Sequence, residues 1–315
     1  TVLCTPSYSL FLLERRKMID THNDLLTIAY CCYLKNDYQP LIEFNKMIKE
    51  GNVIGIIANL YFMSIEEMKD ELDDNYYNDD ISIVDMFKIS KKILNNYISD
   101  VHFIYSIEGC DYIDISDLKA LRDEGLNSII LVWNNPSKYG SGNRDIYGLT
   151  NLGKSFIIEA MNLGLGIDIS HANKKTCMDI LNLVKEKKYP LVYGSHSNIK
   201  RLYDHSRNLD DEEIESLKEV NGKLGLVTVN LFVTDEFEYI EHIKYAVDKL
   251  GIDNVMIASD NMDYTCIELK DTKLFDYQDM NRKIRLLLGK IYNKEEIDKI
   301  MFRNVLKLFN ELEEN

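Results

Sequence analysis

The chain has 315 residues, enough for one large domain or two ordinary ones, and its 45% hydrophobic and 28% charged content fits a water-soluble globular fold. Its 52 acidic residues outweigh 37 Lys and Arg, and the net charge of −15 argues against two polyanions as partners, nucleic acid and an anionic membrane surface. No apolar stretch approaches the roughly 20 residues of a membrane-spanning helix.

Residues 1–17 hold one apolar run, 10–13, followed by Glu14-Arg15-Arg16-Lys17. A secretion signal carries its charge before the apolar core, so this order predicts no such signal. The stretch reads as a non-essential lead-in to one folded unit, 18–315. Cys4, Cys31, Cys32, Cys110, Cys177 and Cys266 show no C-x-x-C pairing. They predict free thiols and a cytoplasmic setting.

From there the chain repeats a short β-rich run, a polar loop and a helical stretch. Strands are predicted at 17–22, 52–59, 102–108, 128–133, 165–170, 191–196, 224–230 and 254–260. Their mostly continuous apolar runs are those of strands buried on both faces. Helices are predicted at 83–98, 115–124, 151–163, 174–187, 210–220 and 236–250, then at 276–288, 294–300 and 303–312. Gly125, Gly164 and Gly251 follow helix ends, where a left-handed cap is expected. The acids of L-D-D-E-E-I at 209–214 fall in a first helical turn, where they complement the dipole. Residues 61–80 form an acidic, Asn/Tyr-rich loop with room for a short helix at 65–71. Eight strand–helix units without a linker predict a single α/β domain, a (β/α)₈ barrel. A doubly wound open sheet is the alternative.

Chemistry in such a barrel sits at the C-terminal strand ends. Those ends carry, in order, His22 and Asp24, then Glu108, then Trp133 and Asn134, then His171, His196, Asn230 and Asp260. Three of six histidines and three carboxylates converging on one mouth predict a metal site. Five ligands exceed a closed tetrahedral zinc site. They suit two ions with a bridging carboxylate, Glu108, and a hydroxide between the metals. Asp260 is left free to move protons. Arg207, on the loop after the sixth strand, can grip a carboxylate bidentately. His102 and His242 read as structural.

These segments resemble the membrane (renal) dipeptidase family of zinc metallopeptidases, in its bacterial soluble branch. The likeness is carried by I-D-T-H-N-D-L at 19–25, S-I-E-G at 106–109, the run G-L-T-N-L-G-K-S-F at 148–156 leading to D-I-S-H at 168–171, S-H-S-N-I-K-R-L-Y-D-H-S-R-N-L at 195–209 and G-I-D-N-V-M-I-A-S-D at 251–260. It implies an amidohydrolase-type TIM barrel with two zinc ions, His22 and Asp24 on one, His171 and His196 on the other, and Glu108 between them. Arg207 would bind the C-terminal carboxylate of a dipeptide, and Asp260 would be general base and acid. Many family members carry a His where Trp133 stands, and their D-F-D-G reads D-N-M-D here at 260–263.

The expectation is a cytoplasmic, zinc-dependent dipeptidase, tolerant of a C-terminal D-residue, with Trp133, Asn134 and Asn230 lining the substrate. By resemblance it would form a homodimer. The rivals are another amidohydrolase-type hydrolase, acting on an N-acyl amino acid, lactam or lactone, and a non-catalytic metal-binding barrel.

Overall fold

The computed structural model describes residues 17–61, 81–261 and 272–314. Eight parallel strands run in sequence order: β1 (Met18–Asn23), β2 (Val53–Tyr61), β3 (His102–Glu108), β4 (Ser128–Ile130), β5 (Gly166–Asp168), β6 (Val192–Gly194), β7 (Lys223–Val227) and β8 (Val255–Ala258). Each pairs with the next. β8 returns to β1 through Asp260 N–H donating to the His22 carbonyl at 3.1 Å and Thr21 Oγ1 donating to the Ile257 carbonyl at 3.0 Å. The result is a nearly closed α/β barrel, and the open-sheet alternative falls.

Strand residues pack outward against the surrounding helices in one large core. A second, smaller core lies inside the barrel. There Ile19, Ile57, Ile104, Tyr193 and Met256 meet Val305, Leu308, Phe309 and Leu312 of the C-terminal helix, Asn304–Glu314. That helix plugs the N-terminal end of the barrel. Gly166 makes room for it, since a Cβ there would stand 2.6 Å from Leu312 Cδ2. With the base sealed, the open end is the C-terminal mouth.

The expected helices are present, with ends shifted by a few residues. Gly125, Gly164 and Gly251 all adopt positive φ, but Gly251, at φ 84 and ψ 152, is not left-handed helical, so the cap expected there is not of that kind. Two helices were not foreseen, Leu25–Lys35 and Gln39–Gly51, between β1 and β2. The first is apolar nearly all round, so it lacks the polar face that marks a helix in sequence. The strands expected at 128–133, 165–170 and 191–196 are shorter, since the ladder at β4, β5 and β6 runs for three residues each.

Cys32, Cys110 and Cys177 are free and buried, but Cys31 is disulfide-bonded, so the expectation of free thiols throughout fails there. No helix among the described residues is long and apolar enough to cross a membrane. The predicted lead-in up to residue 16, the helix at 65–71 and the last two residues of D-N-M-D lie outside the described residues.

Candidate metal centre and active site

β1 does not keep simple alternation. Its register with β2 shifts between Asp20 and Asn23. Asp20 and Asn23 therefore share one side, where both meet the Ser259 hydroxyl, while His22 turns into the mouth. Asp24 lies beyond the strand, at the N-cap of Leu25–Lys35. Its carboxylate makes no capping bond; one oxygen stands 3.7 Å from His22 Nε2 instead. His22 and Asp24 thus meet as expected, but through a strand irregularity and a helix start.

Glu108 ends β3 between two imidazoles. Its Oε2 is 3.1 Å from His22 Nε2 and its Oε1 is 2.9 Å from His171 Nε2. His171 Nε2 in turn lies 2.8 Å from His196 Nε2. His171 follows β5 at φ +66, and Asp260 follows β8 at φ +48. Such left-handed geometry is costly for side-chain-bearing residues and concentrates at functional sites. Here it aims both groups into the mouth, with Asp260 Oδ1 3.7 Å from His22 Nε2.

The other ring nitrogens are engaged. His171 Nδ1 meets Asn134 Oδ1 at 2.9 Å, and His196 Nδ1 meets Ser195 Oγ at 2.7 Å. An Nδ1–H donated to either oxygen leaves Nε2 with its lone pair toward the centre, the arrangement of metal-binding histidines. His22 Nδ1 faces the Asn59 amide at 3.0 Å.

The site is nearly dry, with His22, Glu108, His171, His196 and Arg207 all buried, and the charges respond to that. Burial raises Asp24 and Asp260, and the negative charge of Glu108 adds to both. For Glu108, burial is overcome by His171 and His22, which hold its carboxyl far below the usual carboxylate range. Burial lowers His22, yet Glu108, Asp260 and Asp24 bring it up to about 10. Burial and the Arg207 charge pull His171 down to about 4 and His196 well below its ordinary value. The carboxylates therefore draw positive charge toward His22, while His171 and His196 stay neutral.

These residues fit a metal. Asp24 Oδ1 and Glu108 Oε2 are buried without a hydrogen-bond partner, and the set offers imidazole and carboxylate donors suited to zinc. Among the described residues, two donor triads close to within 4.8 Å, His22–Glu108–His196 and His22–Asp24–Asp260. Both include His22, so they do not reproduce the expected division into two ligand pairs. The pairwise distances to Glu108 follow that division more closely.

Arg207 is buried behind His196. Its guanidinium donates to the His196 carbonyl at 3.3 Å and lies over the Phe232 ring at 5.5 Å. His205 accepts the Arg207 backbone N–H at 3.1 Å. Trp133 stands at the rim, its ring 6.2 Å from His171 and 5.1 Å from Tyr61. Asn134 holds His171. Asn230 is exposed, its backbone N–H bonded to the Thr272 carbonyl at 2.7 Å. His102 bonds Glu313 at the far end of the barrel, and His242 accepts the Ile199 N–H on a packing helix, as structural residues do.

The sequence reading missed the supporting layer. Asp20 accepts from Ser259 N–H at 2.8 Å and Ser259 Oγ at 2.6 Å, tying β1 to β8. Asp168 accepts from the backbone N–H groups of Ser170 at 2.9 Å and Ser195 at 3.0 Å, tying β5 to β6. The available signal was an Asp two or three residues before a ligand His, in D-T-H and D-I-S-H.

The family model of the membrane dipeptidases, peptidase family M19, matches residues 10–315. An uncharacterized protein of the pqqA 5′ region in Klebsiella pneumoniae is 30% identical over 209 residues, 61% of this chain and 74% of that protein. The solved structure of dipeptidase AC, a metallo peptidase of family M19, superposes with a TM-score of 0.74 at 20% identity, covering 94% of this chain and 98% of that one. A metallo peptidase from Rhodobacter sphaeroides, liganded with a phosphinate mimic of the dipeptide L-Ala-D-Ala, gives 0.70 at 19% identity, covering 94% and 99%. At such identities the two structures speak to the fold, and the assignment rests on the family model. Since that model spans every strand and every mouth residue described above, the chain belongs to the membrane dipeptidase family, metallopeptidases that hydrolyse the peptide bond of dipeptides.

Proposed function

We propose that the chain is a zinc-dependent dipeptidase that holds two ions and accepts dipeptides, including those with a C-terminal D-residue. His22 and Asp24 would hold one ion, His171 and His196 the other, and Glu108 would serve both. The observation that carries this is Glu108, whose two oxygens face two different imidazoles at 3.1 and 2.9 Å. The phosphinate L-Ala-D-Ala mimic in the Rhodobacter sphaeroides structure supports the D-residue part.

Bound zinc supplies a Lewis acid for the scissile carbonyl and lowers the pKa of a water. The chain's own groups do the rest. Arg207 fixes the substrate's terminal carboxylate, which limits the substrate to two residues. Asp260 accepts the proton of the attacking water and delivers it to the leaving amine as the C–N bond breaks. Asn134 and Ser195 hold His171 and His196 in the tautomer that presents Nε2. Trp133 forms a wall beside the substrate and keeps water out.

The test is a panel of dipeptides, N-acyl amino acids, lactams and lactones assayed with the zinc-loaded protein and its Asp260→Asn variant. Turnover of dipeptides by the parent, reduced at least about a hundredfold in the variant with metal content retained, is expected. Failure of every dipeptide, or full activity of the variant, refutes the reading.

A further inference from the structure

We propose that Arg144 selects dipeptides bearing an acidic side chain, an inference that rests on the dipeptidase reading. The Arg144 guanidinium lies over the Trp133 ring, 5.6 Å from its centroid. Trp133 is itself in contact with His171, so the cation stands one ring away from a proposed metal ligand. No hydrogen bond or ion pair engages the guanidinium among the described residues, although the chain carries 52 acidic side chains. Its neighbour Asp145 is occupied elsewhere, accepting from Ser141 Oγ at 3.2 Å and Ile146 N–H at 2.7 Å.

The loop that carries Arg144 is pinned on several sides. Arg144 N–H donates to the Asn134 carbonyl at 2.9 Å, and the Asn134 side chain holds His171. Gly142 bridges to Ala172, just past His171. It packs where no side chain fits, since a Cβ would fall 1.7 Å from the Trp133 carbonyl oxygen. Asn143 Nδ2 donates to Ser206 Oγ at 2.8 Å, beside Arg207. An Arg stacked on an indole keeps its in-plane N–H edge open for a carboxylate, and a pinned loop reduces the entropy lost on engaging one.

Arg207 and Arg144 occupy separate places, one buried behind His196 and one at the rim on Trp133. The first is assigned to the carboxylate every dipeptide has. The second is then available for a carboxylate that only some dipeptides have. A two-residue chain spans about 7 Å and a glutamate side chain reaches further, against steps of 6.2 Å from His171 to Trp133 and 5.6 Å from Trp133 to Arg144. Selection matters in this molecule, because its net charge of −15 disfavours anionic substrates unless a local cation offsets it.

The experiment compares kcat/KM for Glu-Ala against Gln-Ala and for Ala-Glu against Ala-Gln, at low and high salt. One of the two acidic members is expected to exceed its isostere by about tenfold at low salt, less at high salt, and the position of the preferred Glu shows which substrate residue faces Arg144. Arg144→Gln should abolish that preference and Arg144→Glu should invert it, while Arg144→Lys should keep part of it. Equal rates for acid and amide in the parent overturn the inference whether or not the variants fold, as does an unchanged preference in a folded Arg144→Gln. Either result leaves the dipeptidase reading standing, whereas failure on all four substrates and on Ala-Ala removes both.

Discussion

Asn59 shows how one amide can decide whether a ligand works. It is fully buried, its Nδ2 is 3.0 Å from His22 Nδ1, and its Oδ1 has no partner. The O and N of an amide are interchangeable in placement, and the hydrogen-bond network decides between them. Nδ2 also donates to the Ile57 carbonyl at 3.3 Å, so turning the amide over would give up that bond in exchange for accepting Nδ1–H from His22, pairing the orphan oxygen and giving His22 the arrangement His171 and His196 already have. Asn59→Leu should therefore weaken metal binding about 10- to 100-fold. A competition titration against a chromophoric chelator reads this directly, and unchanged affinity in a folded variant would contradict the role. At this scale the sequence was legible where a residue type announces its chemistry. The three mouth histidines, Glu108, Asp24 and Asp260 meet as the strand-end reading expected. Asn59, Ser195 and Asp168 did not announce themselves, because an amide, a hydroxyl or a buried carboxylate gains meaning only from the atom it touches. Trp133 and Asn134 are adjacent in sequence yet do different things, one lining the rim and the other holding a ring.

At the scale of elements, strand and helix order was legible because parallel barrel strands are buried on both faces and read as apolar runs. The ends of β4, β5 and β6 were not. Apolar residues such as Leu131 and Val132 continue past the ladder into exit turns, so hydrophobicity outlasts strand pairing. Asp24 shows a second limit: it was read at a strand exit, yet it stands at the N-cap of the unforeseen helix Leu25–Lys35, with its carboxylate turned to His22 instead of capping. The helix Asp211–Glu219 shows a cap that forms in full. Asp210 accepts from Glu212 and Glu213 N–H, and Glu213 Oε2 accepts Asp210 N–H at 2.9 Å. Glu213 is only 4% exposed, beside Cys177, and burial pushes its carboxyl up to about 7. Its folded pKa lies above the unfolded one, so the folded state binds the extra proton between about pH 4.5 and 7 and loses stability as pH rises through that window. Glu213→Gln keeps an acceptor for Asp210 and removes the charge. Its stability relative to the parent should rise by about 3 kcal/mol from pH 4.5 to 8. Urea unfolding at both pH values measures this, and a difference that stays constant with pH would refute it.

Across the whole molecule, the two ends of the barrel carry opposite burdens. The base is an apolar plug of Phe309, Leu308 and Leu312 against strand residues, and its buried charge, Lys223, is paired with Glu311 at 3.5 Å. The mouth gathers Asp24, Glu108 and Asp260 with His22 under burial that raises two of the three carboxylates. Such a cluster is a net cost to folding until a cation enters it. Metal should accordingly stabilise the whole fold, not the mouth alone, because the proposed ligands come from β1, β3 and the exits of β5 and β6, and the proposed proton carrier from the end of β8. Binding to the native state alone contributes about 4 kcal/mol per site at a thousandfold excess over Kd. For a domain of this size each kcal/mol moves the melting temperature by about 2 °C. Chelation should thus lower the melting temperature by about 8 °C for one emptied site and more for two. Zinc added back should restore it in two resolvable equivalents if both sites exist. A single equivalent would leave the dipeptidase family assignment intact but remove Glu108 as a shared ligand. A melting temperature indifferent to chelation, with the removal of metal verified by elemental analysis, would mean that the mouth carboxylates are compensated by the protein itself and that the ligand set is wrong.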